Sequence, residues 1–226
     1  MKEYKKESVV NQIYDLLKEQ IITIRMVPGQ LLLVQQLAID LGVSRTPVRE
    51  ALIRLKEEGL VNEAGGHKFR VSDVTWEMIE TCYESREIIE VGCIKIAAEK
   101  AKKKDIDKLQ EIIEKMKEAA NNQKFPIYFE LDGLFHTTIV DILNNSIMSD
   151  IIRKNSNQQQ RIRYCSRGVS ANMEKSLEEH NLIFNAIADG DSARAAELMK
   201  NHLSRSRDDL NSLREEQNII PLILIK

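Results

Sequence analysis

The chain has 226 residues, 42% hydrophobic and 30% charged, enough for one large domain or two modest ones. That balance, with only nine glycines and four prolines, excludes fibrous and disordered classes, and no apolar run approaches the ~20 residues that span a bilayer. The net charge of −2 divides unevenly: residues 1–72 hold 11 Lys and Arg against 9 Asp and Glu, so the rest is acidic.

The three cysteines, Cys82, Cys93 and Cys165, are odd in number and form no CxxC pair, which predicts reduced packing residues. The opening "MKEYKKESVV" carries no apolar core of a secretory signal, so a cytoplasmic protein without a membrane partner is expected.

A first helix is predicted over 7–24, where Val10, Ile13, Tyr14, Leu17 and Ile21 recur at helical spacing. Pro28 and Gly29 end it. A short second helix, 33–41, stops before Gly42, a residue suited to the left-handed position after a helix. Ser44 then stands where a hydroxyl caps a third helix, with Pro47 tolerated in the first turn. Two short strands, 60–63 and 68–72, flank a turn at Gly65-Gly66. From Thr75 the pattern is helical throughout, with helices near 75–101, 104–121, 126–143, 146–165, 172–189 and 191–214. "GD" at 190–191 ends one helix and caps the next. The tail "NIIPLILIK" is too short to span a bilayer and reads as an appendage or a packing strand.

The predicted fold is mainly α. A small α+β unit, residues 1–74, precedes an all-α antiparallel bundle of about six helices, 75–215, with a tail at 216–226.

On the third helix Val48, Leu52 and Leu55 form an apolar stripe, while Arg45, Thr46 and Arg49 share another face at its N-terminal end. Two short helices, a turn containing Gly42 and a third helix with polar residues at its tip match a helix-turn-helix, followed by a hairpin wing. In that arrangement the recognition helix enters the major groove, where an arginine fork can bond guanine O6 and N7 together. An amphipathic helix with a merely solvated basic face has the same spacing. The strings "VPGQLL", "QQLAIDLGVSRTPVREALIRLKEEGLV" and "GGHKFRV", in that order, resemble the winged helix-turn-helix of GntR-family bacterial transcription regulators, from Val9 to Val71.

That resemblance implies a double-stranded DNA operator as partner. The expected DNA-facing residues are Gln35, Ser44, Arg45, Thr46, Arg49, Gly66, His67 and Lys68. Where some members carry an arginine on the second helix, this chain has Gln35.

Asp132 and His136 are four apart, on a helical face shared with Phe129, Ile139 and Leu143. His180 aligns with Leu177, Phe184 and Ile187, and His202 with Ala195, Leu198 and Met199. Three inward imidazoles and a carboxylate can bind a transition metal, although each histidine alone reads equally as a hydrogen-bonded core residue. Residues 75–210 are similar to the FCD ligand-binding domain of the FadR subfamily of GntR regulators, through Asp132 and His136, "EHNLIFNAIADGD" and "ELMKNHL". The resemblance implies that Asp132, His136, His180 and His202 are metal ligands and that a small carboxylate effector completes the coordination. Zinc is the leading metal, with nickel or manganese as alternatives.

Arg86, on the apolar stripe of Cys82, Tyr83, Ile89 and Cys93, is either an effector clamp or an ion-pair partner of Glu90. Arg161 and Arg163 are further effector candidates. The resulting expectation is a homodimeric, metal-containing, effector-responsive transcription regulator and not an enzyme. The rivals are a regulator for which the metal is itself the signal, and a metal-dependent enzyme.

Overall fold

The computed structural model describes residues 8–66, 68–165, 173–215 and 223–224. The first of its two compact units runs to Val74 and includes the strand at Ile223–Leu224, and the second begins at Thr75. Among the described residues no helix is long and apolar enough to cross a membrane.

In the first unit, α1 (Val9–Ile22) begins where the Ser8 hydroxyl accepts a hydrogen bond from Asn11 N at 3.3 Å. The chain then reverses through Gly29, whose φ of 79° suits a residue without a Cβ. Next comes a strand the sequence pattern did not disclose, β1 (Leu31–Leu33), so α2 starts at Val34 and runs to Asp40. Three residues are too few to establish a two-residue period; only the pairing of β1 with β3 defines it.

Ser44 occupies the cap position of α3 (Arg45–Glu57), but its hydroxyl makes no capping hydrogen bond, contrary to expectation. The first backbone N–H groups of α3 are therefore not satisfied by that side chain. The wing consists of β2 (Val61–Glu63) and β3 (Lys68–Val71), antiparallel in the order β1-β3-β2, with Val61 facing Val71. Leu17, Ile21, Val48, Leu52, Leu55, Leu60 and Phe69 form the unit's core, and truncating one such leucine to alanine typically costs ~2–5 kcal/mol.

A two-residue strand, β4 (Val74–Thr75), leads into the helical unit. Its helices are α4 (Trp76–Lys100), α5 (Lys103–Asn121), α6 (Phe125–Asp141), α7 (Ser146–Cys165), α8 (Met173–Ala188) and α9 (Ser192–Glu215). The short β5 (Ile223–Leu224) pairs with β4 and is the described part of the tail. Thr75 caps α4, accepting from Met78 N at 3.1 Å, and Asp191 caps α9 through Arg194 N at 3.0 Å. Gly190, at φ 72°, supplies the left-handed residue between α8 and α9.

α4 packs on α6, α7, α8 and α9, so its inner face looks into the middle of the bundle. α5 contributes only apolar residues to that interior, among them Leu109, Ile112 and Met116. A Cβ at Gly133 would run into Ser156 Oγ, so this glycine permits the close approach of α6 and α7 beside Asp132. The three cysteines are free and buried.

Candidate nucleic-acid interface and metal centre

The tip of α3 is built by its own amphipathicity. Val48, Leu52 and Leu55 are fully buried, which leaves Ser44, Arg45, Thr46 and Arg49 in solvent. An open groove of about 580 Å³ is lined by Leu33, Val34, Gln35, Arg45, Thr46, Arg49, Glu50, Gly66 and Lys68. The structure thus gathers Gln35, Arg45, Thr46, Arg49, Gly66 and Lys68 at one place, with three cations against the single carboxylate of Glu50. Arg45 and Arg49 make no ion pair or hydrogen bond among the described residues, whereas Arg54 donates to Asn11 Oδ1 at 2.8 Å and covers the Tyr14 ring. Gly65 and Gly66 have φ of 77° and 56°, which bends the wing turn tightly. His67 lies outside the described residues.

The helical unit holds the opposite kind of site. Asp132 and His136 from α6, His180 from α8 and His202 from α9 are all buried, each with a ligand atom within 4.8 Å of the others'. The ring centroids of His180 and His202 are 4.5 Å apart, and each lies 5.3 Å from that of His136. The sequence placed these four on inward faces of three helices, and the bundle brings those faces together.

Two carboxylates that the metal reading had not included orient the rings. His136 Nδ1 lies 2.5 Å from Glu90 Oε2, and His202 Nδ1 lies 2.7 Å from Glu179 Oε2. A carboxylate at Nδ1 selects the tautomer protonated there and leaves the Nε2 lone pair free. Among the described residues those Nε2 atoms have no hydrogen-bond partner, nor does either ring nitrogen of His180, whose Nε2 lies 3.6 Å from Asp132 Oδ1. Each buried polar atom left unbonded costs ~1–3 kcal/mol, so their convergence at one point needs a reason. Arg205 in turn holds Glu179, through Nε to Oε1 at 2.5 Å and Nη2 to Oε2 at 2.7 Å.

The protonation states suit a cation. Burial pushes the His180 imidazole well below its usual range, aided by the charges of His202 and His136. Burial lowers His202 too, and with His136 outweighs the upward pull of Glu179. Burial opposes ionisation of Glu90, but Arg86 and His136 overcome it and hold the carboxyl at about 2. Asp132, equally buried, is depressed below the ordinary carboxylate range by Arg163, His136 and His180. The lowered imidazoles of His180 and His202 beside the ionised carboxylate of Asp132 are ligand forms a divalent metal requires.

The three candidate effector arginines separate. Arg86 is buried and pairs with Glu90, Nε to Oε1 at 2.5 Å, so the ion-pair reading of this residue describes its contact; its Nη1 has no hydrogen-bond partner among the described residues. Arg163 Nη2 lies 2.6 Å from Asp132 Oδ2, a charge contact outside hydrogen-bond angles, while its Nη1 is buried without a hydrogen-bond partner among the described residues. Arg161, two residues before Arg163 on α7, is also buried and donates to Gln158 Oε1 at 2.9 Å. Gln159, buried beside Tyr83, is a further polar residue of this interior that the sequence reading missed.

Comparison with known proteins accounts for both regions. Residues 9–71 match the gntR family of bacterial regulatory proteins, and residues 81–205 match the FCD domain. The chain is 26% identical over 212 residues to the HTH-type transcriptional repressor RspR of Escherichia coli, covering 94% of this chain and 93% of RspR. It is 28% identical over 205 residues to the HTH-type transcriptional regulator LutR of Bacillus subtilis, covering 81% and 92%. The solved structure of E. coli McbR/YncC superposes with a TM-score of 0.79 at 24% identity, over 94% of this chain and all of that one, which shows the shared fold. The chain belongs to the gntR family of bacterial regulatory proteins, as a DNA-binding transcription regulator of the type that carries an FCD domain, not as an enzyme.

Proposed function

We propose that this regulator binds one divalent transition metal per protomer on Asp132, His136, His180 and His202. We further propose that a small anionic effector, a carboxylate, binds beside the metal and alters operator affinity. The observation that carries the reading is the convergence of unspent Nε2 atoms from three helices on a carboxylate oxygen, with Glu90 and Glu179 behind the rings. Three imidazoles and a carboxylate favour zinc and also accept nickel or manganese. Bound there, the metal offers positive charge and coordination positions to an anion's oxygens.

The protein's own part is to hold the anion. Arg86 and Arg163 each keep an unspent buried N–H, and both charges act on Asp132. A guanidinium matches a carboxylate in fork geometry, and such charge-assisted hydrogen bonds are about twice as strong as neutral ones. These donors favour an effector over a site in which the metal alone is the signal. Binding that differs between two arrangements of the bundle shifts their populations, and so the operator affinity. Gln35, Ser44, Arg45, Thr46, Arg49, Gly66, His67 and Lys68 are the proposed DNA-contacting set. Two copies reading half-sites one turn apart make the acting species a homodimer.

Elemental analysis of untagged protein tests the metal directly. One metal per chain is expected, lost in the double variant His180→Ala/His202→Ala. An empty parent that takes up no zinc, nickel or manganese on reconstitution contradicts the reading.

A further inference from the structure

The outer face of α4 has a design that no contact among the described residues explains. Ile88 is 77% exposed, and Gly92 and Ile96, the latter 39% exposed, follow at successive four-residue steps on the same stripe. Gly92 sits mid-helix, where glycine is less stable than alanine. A Cβ there would meet nothing within 4 Å, so packing inside the chain does not require the glycine. A shallow depression of about 430 Å³ opens along this stripe, with Glu84, Glu87, Ile88, Gly92, Lys95 and Lys200 among its lining residues.

The charges on this face are ordered along the helix. Glu84 and Glu87 precede Ile88, and Lys95 follows Gly92. Neither Glu84 nor Lys95 makes an ion pair among the described residues, and Glu87 reaches only Lys200, at 4.0 Å. An exposed isoleucine, a position without a side chain one turn further along the same depression, and opposite charges at its two ends make a surface complementary to itself when reversed. A two-fold axis crossing α4 near Glu90 brings Ile88 of each copy over Gly92 of the other. It also sets Glu84 of each within one helical step of the other's Lys95. A parallel pairing would instead stack Glu84 on Glu84.

We infer that two copies of this chain pair antiparallel through the outer faces of their α4 helices, with Ile88 packing into the hollow at Gly92. This rests on the homodimeric reading above and names the surface that would carry it. Each contact then occurs twice, as an isologous interface requires. A different protein as partner would need no such mirrored order of charge.

The test is sedimentation velocity over a concentration series on full-length protein, with circular dichroism as a check that each variant is folded. Glu84→Lys and Lys95→Glu alone should each weaken dimerisation at least about ten-fold through like-charge contacts. Glu84→Lys with Lys95→Glu together should restore it, because the two positions lie eleven residues apart on one helix and can meet only across copies. An Ile88→Cys/Gly92→Cys variant should form an intermolecular disulfide on oxidation. A parent that is dimeric, with single variants equally dimeric and no cross-link, overturns the α4 surface while the homodimer stands. A parent that stays monomeric at every concentration overturns both.

Discussion

The tip of the recognition helix and the centre of the helical bundle use the same residue types under opposite solvation. At the tip, Arg45 and Arg49 stand in water, make no ion pair or hydrogen bond among the described residues, and are positioned by the apolar stripe behind them. In the bundle, Arg86 and Arg163 are removed from water, and each is tied to a carboxylate, Glu90 or Asp132. An exposed guanidinium costs nothing to keep and is free for an external partner. A buried one has to be compensated where it sits, and is retained when something inside needs it. Substituting an arginine should therefore read out as binding alone at the tip, and as folding together with effector binding in the bundle.

The largest expected effect breaks the buried half of that contrast. Arg86→Met leaves Glu90 with His136 but without its guanidinium, and should destabilise the fold by ~3–5 kcal/mol, as for a buried pair that loses one member. Urea unfolding measures it, and an unchanged midpoint would mean that the pair is not integral to the fold. The exposed counterpart is smaller and of another kind. Arg49→Ala should lose ~1–3 kcal/mol of specific operator affinity with no change in melting temperature. Arg45→Ala should behave alike, and fluorescence anisotropy with a selected operator duplex distinguishes base reading from a solvated charge.

Lys68→Ala sharpens the comparison within the tip. If Lys68 meets only phosphate, the loss should be the same for all sequences, and the salt dependence should fall by about one unit of slope. Equal slopes for parent and variant contradict a phosphate contact.

The smallest effect is alkaline. Burial pushes Cys82 and Cys165 up to about 11 from an ordinary 9.0. The folded thiols keep protons that the unfolded chain has already lost above 9.0, so stability should decline as pH rises from there toward about 11. The alkaline slope of melting temperature against pH should be shallower in Cys82→Ala and Cys165→Ala. An identical slope removes the thiols from the account.

The tip was legible because its information is local. Val48, Leu52 and Leu55 follow a helical period, and the "SRTPVREAL" string fixes which face carries the arginines. The hydroxyl of Ser44 shows the limit of such reading, since it stands at the cap position without making the cap bond. β1 escaped because its partner, β3, is distant in sequence. In the bundle, spacing put Asp132, His136, His180 and His202 on inward faces but could not bring three helices together; the family resemblance supplied that. Glu90 and Glu179 were hidden for a related reason. Glu90 was read only as the i+4 partner of Arg86, and Glu179 is simply the neighbour of His180, so their contacts with His136 and His202 exist only across helices. Arg161 and Arg163 looked alike in sequence, and the twist of α7 over two residues separates them, with Arg163 meeting Asp132 and Arg161 donating to Gln158.

The central claim is that the buried cluster holds a metal and, through it, an anion. The most direct measurement is the melting temperature of metal-loaded and metal-stripped protein across a panel of small organic acids, sugar acids and amino acids. Binding to the native state raises stability in proportion to the logarithm of ligand concentration over its dissociation constant. The account predicts that at least one carboxylate raises the melting temperature of the loaded protein, and raises that of stripped protein or of Arg163→Met much less. A panel without any stabilising anion, or one that stabilises loaded and stripped protein equally, would contradict it.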